Sequence, residues 1–349
     1  MANLTAASHS LEYEFPVIPL VITLGVVSLG TVVGNSLVCM AIYTHPALKH
    51  VTYFSIFSLA IADFFVGLVA MPSYIIKKLV TTASVTIIVC DTFRFSYFLT
   101  GYTSILSLCV ISVERLIAVK NPLTYQTTVT SFRITGALIF VWFDATFVSL
   151  IPFIPWNKEG KTECTYEPTR WWSIMVIITN VIIPFCFIVS CYMYMYTVAQ
   201  SHIKKMYTGN TARKVSRREK YKEIKERKAN ITIMIVIGLF VICWFPSTIY
   251  YFLQKVCRSC FTSNFKTHQG LINALVKLFT FVSSFCNPII YCWRSRDFRK
   301  AFINFFMIKK RNISSSLRDT ADAVAGFFGS SRKGATSASQ SSGKSLTNV

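Results

Sequence analysis

QGLINALVKLFTFVSSFCNPIIYC fills residues 269–292, and WRSRDFRKAFINFF follows at 293–306. The first stretch holds a single charge, Lys277. As a helix it is long enough to cross a bilayer, which takes about 20 mostly apolar residues. The second stretch changes character at once. Phe298, Phe302, Phe305 and Phe306 recur at helical spacing, with Arg294, Arg296, Arg299 and Lys300 set among them. Such spacing puts an apolar face against lipid tails and a basic face against headgroups. The two stretches read as a membrane span followed by an amphipathic helix on the inner leaflet, expected over 294–307.

Six more apolar runs precede these, at 17–43, 52–76, 88–118, 133–155, 172–201 and 229–254. The composition agrees: 53% of residues are apolar and 15% charged, against about 25% charged in a soluble domain, and the mean hydropathy is +0.48. Gly34, Pro152, Pro184, Pro246 and Pro288 interrupt the runs, as membrane helices tolerate. The expected architecture is therefore an all-α membrane protein, a seven-transmembrane helix bundle over 17–293 plus an amphipathic eighth helix. An N-terminal tail covers 1–16, and a disordered tail rich in Ser, Gly, Thr and Ala covers 308–349. No internal repeat is visible.

The net charge is +21 and the pI about 9.6. That balance suits nucleic-acid binding, but the charge lies between and after the apolar runs rather than on a polar domain. On one side of the spans the loops and proximal tail hold 21 Lys and Arg, and on the other side 8. The positive-inside rule puts the N-terminus outside and the C-terminus in the cytoplasm, a multi-pass plasma-membrane topology with no nucleic-acid partner. No basic segment with a short apolar stretch and cleavage site opens the chain, so the first run is expected to act as signal anchor. Asn3-Leu-Thr is a glycosylation sequon on the outer side, whereas Asn312-Ile-Ser falls inside and is expected to stay unmodified.

Of eleven cysteines, four lie near outer ends of the runs: Cys90, Cys164, Cys257 and Cys260. An oxidising compartment makes them disulfide candidates. Cys257-Arg-Ser-Cys260 suits a small local ring; a Cys-x-x-Cys pair can also be redox-active or bind metal, though no second pair or histidine cluster accompanies it. The five histidines, His9, His45, His50, His202 and His268, fall in tails, loops and span ends. Without His or acidic ligands converging inside the bilayer, a membrane metalloenzyme is not expected, and no enzyme activity is. A transporter would show repeated halves and discontinuous helices around a midplane site, and neither is seen.

Short polar motifs mark each span. The first has Gly34-Asn35 and the second Leu59-Ala-Ile-Ala-Asp63. The third begins near Cys90 and ends in Ser112-Val-Glu-Arg-Leu-Ile-Ala-Val119, with Pro122-Leu123 after it. Trp142 lies in the fourth, Pro184 and Tyr192 in the fifth, and Phe240 and Cys243-Trp-Phe-Pro246 in the sixth. The seventh ends Asn287-Pro-Ile-Ile-Tyr291, and Phe298 follows. In this order the set resembles the rhodopsin-like (class A) G-protein-coupled receptors, from Gly34 to Phe302, and the closing stretch looks most like amine, cannabinoid and melanocortin receptors.

The resemblance implies a receptor that binds an extracellular small molecule and activates a heterotrimeric G protein. A short peptide is the alternative ligand. A receptor fold without G-protein output, or a transporter, is the remote alternative. Glu114 and Arg115 match the family's inner switch, in which the Arg also pairs with an acid on span six, here Glu226; a juxtamembrane charge cluster is the plainer reading. Leu116 stands where the family usually has Tyr. Ile105, Pro184 and Phe240 match its transmission core, and Tyr192 and Tyr291 a pair that swings inward on activation. Asp63, Ser104, Ser284 and Asn287 match a sodium pocket, an ion acting as allosteric modulator rather than a cofactor, although Ser283 replaces the usual Asn. No metal other than sodium is implied. A protonated Asp63 bonded to neighbouring helices is the competing reading of an ionisable group in a span. Cys90 and Cys164 match the family's bridge to the second outer loop.

Ligand candidates are Tyr97, Phe98, Gly101, Asn180, Trp244, Tyr251, Lys277 and Phe281, an aromatic cavity with few polar handles; the same stripe also suits plain packing. Amine receptors place an Asp eighteen residues before the switch Arg, where this chain has Tyr97. Opsins place their Schiff-base Lys where it has Phe281. Lys277, one turn outward on the same face, suits a ligand carboxylate or phosphate, an ion pair with Glu163 or Glu167, or, least of all, a retinal linkage. On the inner side, the third loop holds eleven Lys and Arg, suited to acidic membrane lipids and a G protein. The Ser/Thr-rich tail suits receptor kinases and arrestin. The terminal Thr347-Asn348-Val349 resembles a PDZ-protein ligand. No Cys follows Cys292, so the family's usual palmitoylation site is missing.

Overall fold

The computed structural model describes residues 17–80, 83–121, 124–153, 170–208, 217–257 and 268–305. Residues Met1–Arg299 form one compact unit and Lys300–Val349 a second. In the first unit seven helices are long and apolar enough to cross a membrane. We label them α1 (Val17–Thr44), α2 (Thr52–Leu79), α3 (Ala83–Lys120), α4 (Ser131–Phe153), α5 (170–208), α6 (Arg217–Val256) and α7 (Gln269–Arg294). Each covers its expected run, save that residues 154–155 of the fourth run lie outside the described residues. The clearest difference is α6, which begins twelve residues before the apolar run at 229, because its Lys- and Glu-rich start has good helix formers and no proline.

α1 packs on α2, α3 touches α2, α4 and α5, α5 meets α6, and α7 returns to α1 and α6. The burial pattern is that of a protein in lipid. Phe132, Trp171, Ile18 and Phe143 are exposed, while Asn35, Asp63, Ser107, Glu114 and Asn287 are buried. In water such a surface would drive association; against lipid tails it is the favourable arrangement.

Polar side chains tie the buried faces together. Trp142 Nε1 donates to Ser58 Oγ at 3.1 Å, and Ser58 Oγ lies 3.3 Å from Ser107 Oγ, joining α4, α2 and α3. Gly34 lets α1 approach α7, since a Cβ there would sit 2.9 Å from Pro288 Cγ. Two π-turns, Val66–Ala70 in α2 and Ile178–Ile182 in α5, each precede a proline, Pro72 and Pro184. A wider turn re-spaces the carbonyls that a proline ring would otherwise strike.

Ser295 leaves helical geometry at φ −97°, ψ 119° and ends α7. Its Oγ then accepts from Phe298 N at 3.4 Å, an N-cap for the helical residues 296–305. A helix is therefore present over 296–305. Phe306, the sequon Asn3, Cys164, Cys260 and the tail lie outside the described residues.

Candidate functional site

One half of the bundle is organised by a column of rings. Tyr97 on α3 stacks on Trp244 of α6, with centroids 6.1 Å apart and planes 20° apart. Trp244 stacks in turn on Phe240 at 5.3 Å and 20°, and Phe185 meets Phe240 edge-on at 6.0 Å. Phe240 and Ile105 are buried. Gly101 backs the column: a Cβ there would stand 2.6 Å from Trp244 Cη2. The indole N–H donates to Ser283 Oγ at 3.3 Å.

Above the column sits Lys277. Its Nζ lies 3.3 Å from the Tyr97 ring centroid, 4.9 Å from Tyr251 and 5.4 Å from Phe93. The side chain is 8% exposed, and among the described residues it forms no ion pair. Cation–π contact of a desolvated ammonium contributes about 2 kcal/mol or more. Tyr97 Oη donates to Thr280 Oγ1 at 3.4 Å, and Tyr251 Oη donates to Asn273 Oδ1 at 2.5 Å, which fixes two walls of the cage. Phe281 packs edge-on against Tyr97 at 6.0 Å.

Beneath Tyr97 runs a narrow cleft lined by Tyr97, Gly101, Trp244, Phe281, Ser104 and Ser284, among others, and no lining residue is charged. It has room for about one water molecule. Phe98 touches the column at Tyr97, with ring centroids 6.0 Å apart, and stacks on Tyr102 at 5.7 Å. Asn180 donates to its neighbour Thr179 at 2.9 Å.

Below the cleft, Asp63 is 1% exposed and accepts from Asn287 Nδ2 at 2.7 Å. Among the described residues no cation pairs with it. Asn35 donates to the Ser284 carbonyl at 3.2 Å, and its Oδ1 is buried without a hydrogen-bond partner. A buried carboxylate with nearby hydroxyls and an orphaned carbonyl is a donor set that fits a hard cation.

Near the C-terminal end of α3, Glu114 and Arg115 form a 3.4 Å ion pair. Glu114 Oε1 also accepts from Thr52 Oγ1 at 2.6 Å and Tyr125 Oη at 2.9 Å. Tyr125 lies between spans three and four. Burial, and then the Glu114 charge, push its phenol above the ordinary range, so it stays protonated and able to donate at neutral pH. The carboxylate is thus held by α2 and by the turn after α3 as well as by its neighbour. Glu226 lies on α6, where its side chain is outside the described residues. Tyr192 is in electrostatic range of Arg115. Tyr291 stacks on Phe298 at 5.4 Å, and Tyr53 meets Phe298 at 5.7 Å.

Cys90 and Cys257 are disulfide-bonded. Seven other cysteines are free. The chain's remaining two, Cys164 and Cys260, lie outside the described residues. Thr52, Tyr125, Phe93, Thr280 and Lys77 join these sites without having been singled out by the sequence. Their signal is weak, since each is a common residue type whose role depends on which helix faces it.

The family model "7 transmembrane receptor (rhodopsin family)" matches residues 34–291. The chain is 28% identical over 334 residues to the histamine H2 receptor of Homo sapiens, covering 92% of this chain and 89% of that one. It is 29% identical over 335 residues to the alpha-1A adrenergic receptor of Oryzias latipes, covering 86% and 70%. With dopamine receptor 1 of Drosophila melanogaster it shares 27% identity over 317 residues, covering 80% and 61%.

Proposed function

The chain belongs to the rhodopsin family of seven-transmembrane receptors, and we propose that it reads a small extracellular molecule at the Tyr97–Trp244 column and passes the reading inward to Arg115. It is a G-protein-coupled receptor, not an enzyme, and a multi-pass membrane protein. The N-terminus faces outward on this reading and the basic loops face the G protein.

The observation that carries the proposal is the lock on Glu114. Three groups from two helices and a loop hold this carboxylate, and it holds Arg115. Such a cluster has two arrangements, locked and released, and any ligand that favours one shifts the balance. Glu226 on α6 is the second acid that restrains Arg115 in the locked arrangement. Release frees the guanidinium for the G protein.

Relatives named for histamine and dopamine suggest a small amine. Against that stands Tyr97, at the position of the amine-binding Asp, and the uncharged lining of the cleft. We therefore keep the ligand a small molecule and leave the amine chemistry to the relatives.

Asp63, Ser104, Ser284 and Asn287 are the residues that would hold a sodium ion, which would supply the charge that the buried carboxylate lacks. The bridges proposed are Cys90–Cys164 and Cys257–Cys260, supported by the bonded state of Cys90 and Cys257. Glycosylation at Asn3, and arrestin, receptor kinases and a PDZ protein at the tail, complete the reading.

The test is G-protein dissociation in cells at matched surface expression. Glu226→Ala is expected to raise basal activation and Arg115→Ala to abolish coupling. Two variants that signal as wild type would remove the switch.

A further inference from the structure

We propose that Lys277 and Lys77 form an anion site that selects ligands bearing a carboxylate on an apolar or aryl body. The inference deepens the reading of this chain as a ligand-driven receptor and rests on it.

Lys277 is more than nine-tenths buried, and among the described residues its ammonium meets rings and no acid. A charge so placed is expensive unless paired, and several kcal/mol is the usual order. Aromatic faces offset part of that cost and no more. Lys77, on α2, puts its Nζ 5.8 Å from the same Phe93 ring that Lys277 approaches at 5.4 Å. Two ammonium groups thus reach one ring from two helices. Asp91 on α3 is engaged with Arg94 at 3.2 Å.

An anion between the two lysines completes both. A carboxylate presents two oxygens, one for the ammonium from each helix. The rest of the ligand meets Phe93, Tyr97 and Tyr251, which present ring faces and offer no acid to hold a ligand ammonium. An amine or a zwitterion would bring its cation toward two like charges. The consequence for signalling is direct. A carboxylate that draws Lys277 Nζ off Tyr97 releases the top ring of the column that ends at Phe240.

The test uses the full chain, purified in nanodiscs, with 4-phenylbutyrate and octanoate as probes and their primary amides and phenethylamine as matched controls. Equilibrium binding and thermal shift are read together, apart from any G protein. Both acids are expected to bind saturably, at least tenfold tighter than the amides, with phenethylamine weaker still. Lys277→Met is expected to lose tenfold or more, Lys277→Arg to retain most binding, and Lys77→Met to lose less than Lys277→Met. If Lys277→Met does not fold, Lys77→Met carries the comparison.

Amides that bind as tightly as acids, a folded Lys277→Met that binds like wild type, preference for the amine, or folded wild type that binds neither acid would each overturn the proposal. G-protein activation is then measured in cells with Arg115→Ala as control. Acid binding with no output keeps the anion site and removes the receptor reading. Output driven by amines without acid binding does the reverse.

Discussion

Lys277 rests its ammonium 3.3 Å from the centre of the Tyr97 ring, so the position where related receptors hold an acid for an amine is here covered by a cation from α7. The charge beside Tyr97 is inverted, and it can be inverted back. Tyr97→Asp alone is expected to pair with Lys277 and silence the cleft. Tyr97→Asp with Lys277→Ala leaves an unpaired acid facing Tyr251 and Trp244, and is expected to gain a response to phenethylamine that wild type lacks. G-protein dissociation against an amine series checks this. No gain in the double variant, at normal surface expression, would mean that the cleft does not admit ligand to Tyr97.

Gly101 leaves no room behind Trp244. Alanine there brings a Cβ within 2.6 Å of the indole, well inside contact distance, and the indole must shift. Its shift breaks the stack on Tyr97 and Phe240 and strains the hydrogen bond to Ser283. Gly101→Ala is expected to raise basal signalling several-fold and to change tryptophan emission. Trp244→Phe in the same chain, with a smaller ring, is expected to return basal signalling toward wild type. A Gly101→Ala receptor with wild-type emission and basal activity would show that Trp244 accommodates the methyl without moving.

The inner lock makes a separate expectation. Hydrogen bonds to a charged group contribute about 1.5–3 kcal/mol each, and about 1.4 kcal/mol is a factor of ten in an equilibrium. Thr52→Val and Tyr125→Phe each remove one hydroxyl from Glu114. Each is expected to raise basal activation by about tenfold or more, and the pair by more than either. Basal G-protein dissociation per surface receptor is the measurement. Equal basal levels in all four receptors would place the switch elsewhere.

The sequence made the spans legible because the membrane imposes a length and a composition on each. It also exposed Asp63, Glu114, Arg115 and Lys277, since an ionisable residue in an apolar run stands out whatever its neighbours. It did not reveal Thr52 or Tyr125. Both are ordinary residues whose value comes from facing Glu114 across 62 and 11 positions of chain. Nor did it show that Lys277 is caged by rings, because Tyr97, Tyr251 and Phe93 arrive from two other helices. Phe98 bridges Tyr97 and Tyr102, and Asn180 bonds Thr179, contacts that spacing alone does not fix.

Asp63 supplies the last expectation. A carboxylate buried at 1% exposure, with Asn287 as a donor and no described cation, costs several kcal/mol if it is charged and alone. A bound sodium ion or a proton relieves that cost, and the two differ in what the protein responds to. If sodium is the partner, purified receptor melts higher in sodium chloride than in choline chloride at equal ionic strength. Asp63→Asn removes the charge, so its melting temperature is expected to match the sodium-bound wild type in either salt. Ser284→Ala takes away one oxygen and is expected to weaken the sodium response without abolishing it. Wild type that melts identically in both salts would instead mean that Asp63 holds a proton and that Asn287 bonds a neutral acid.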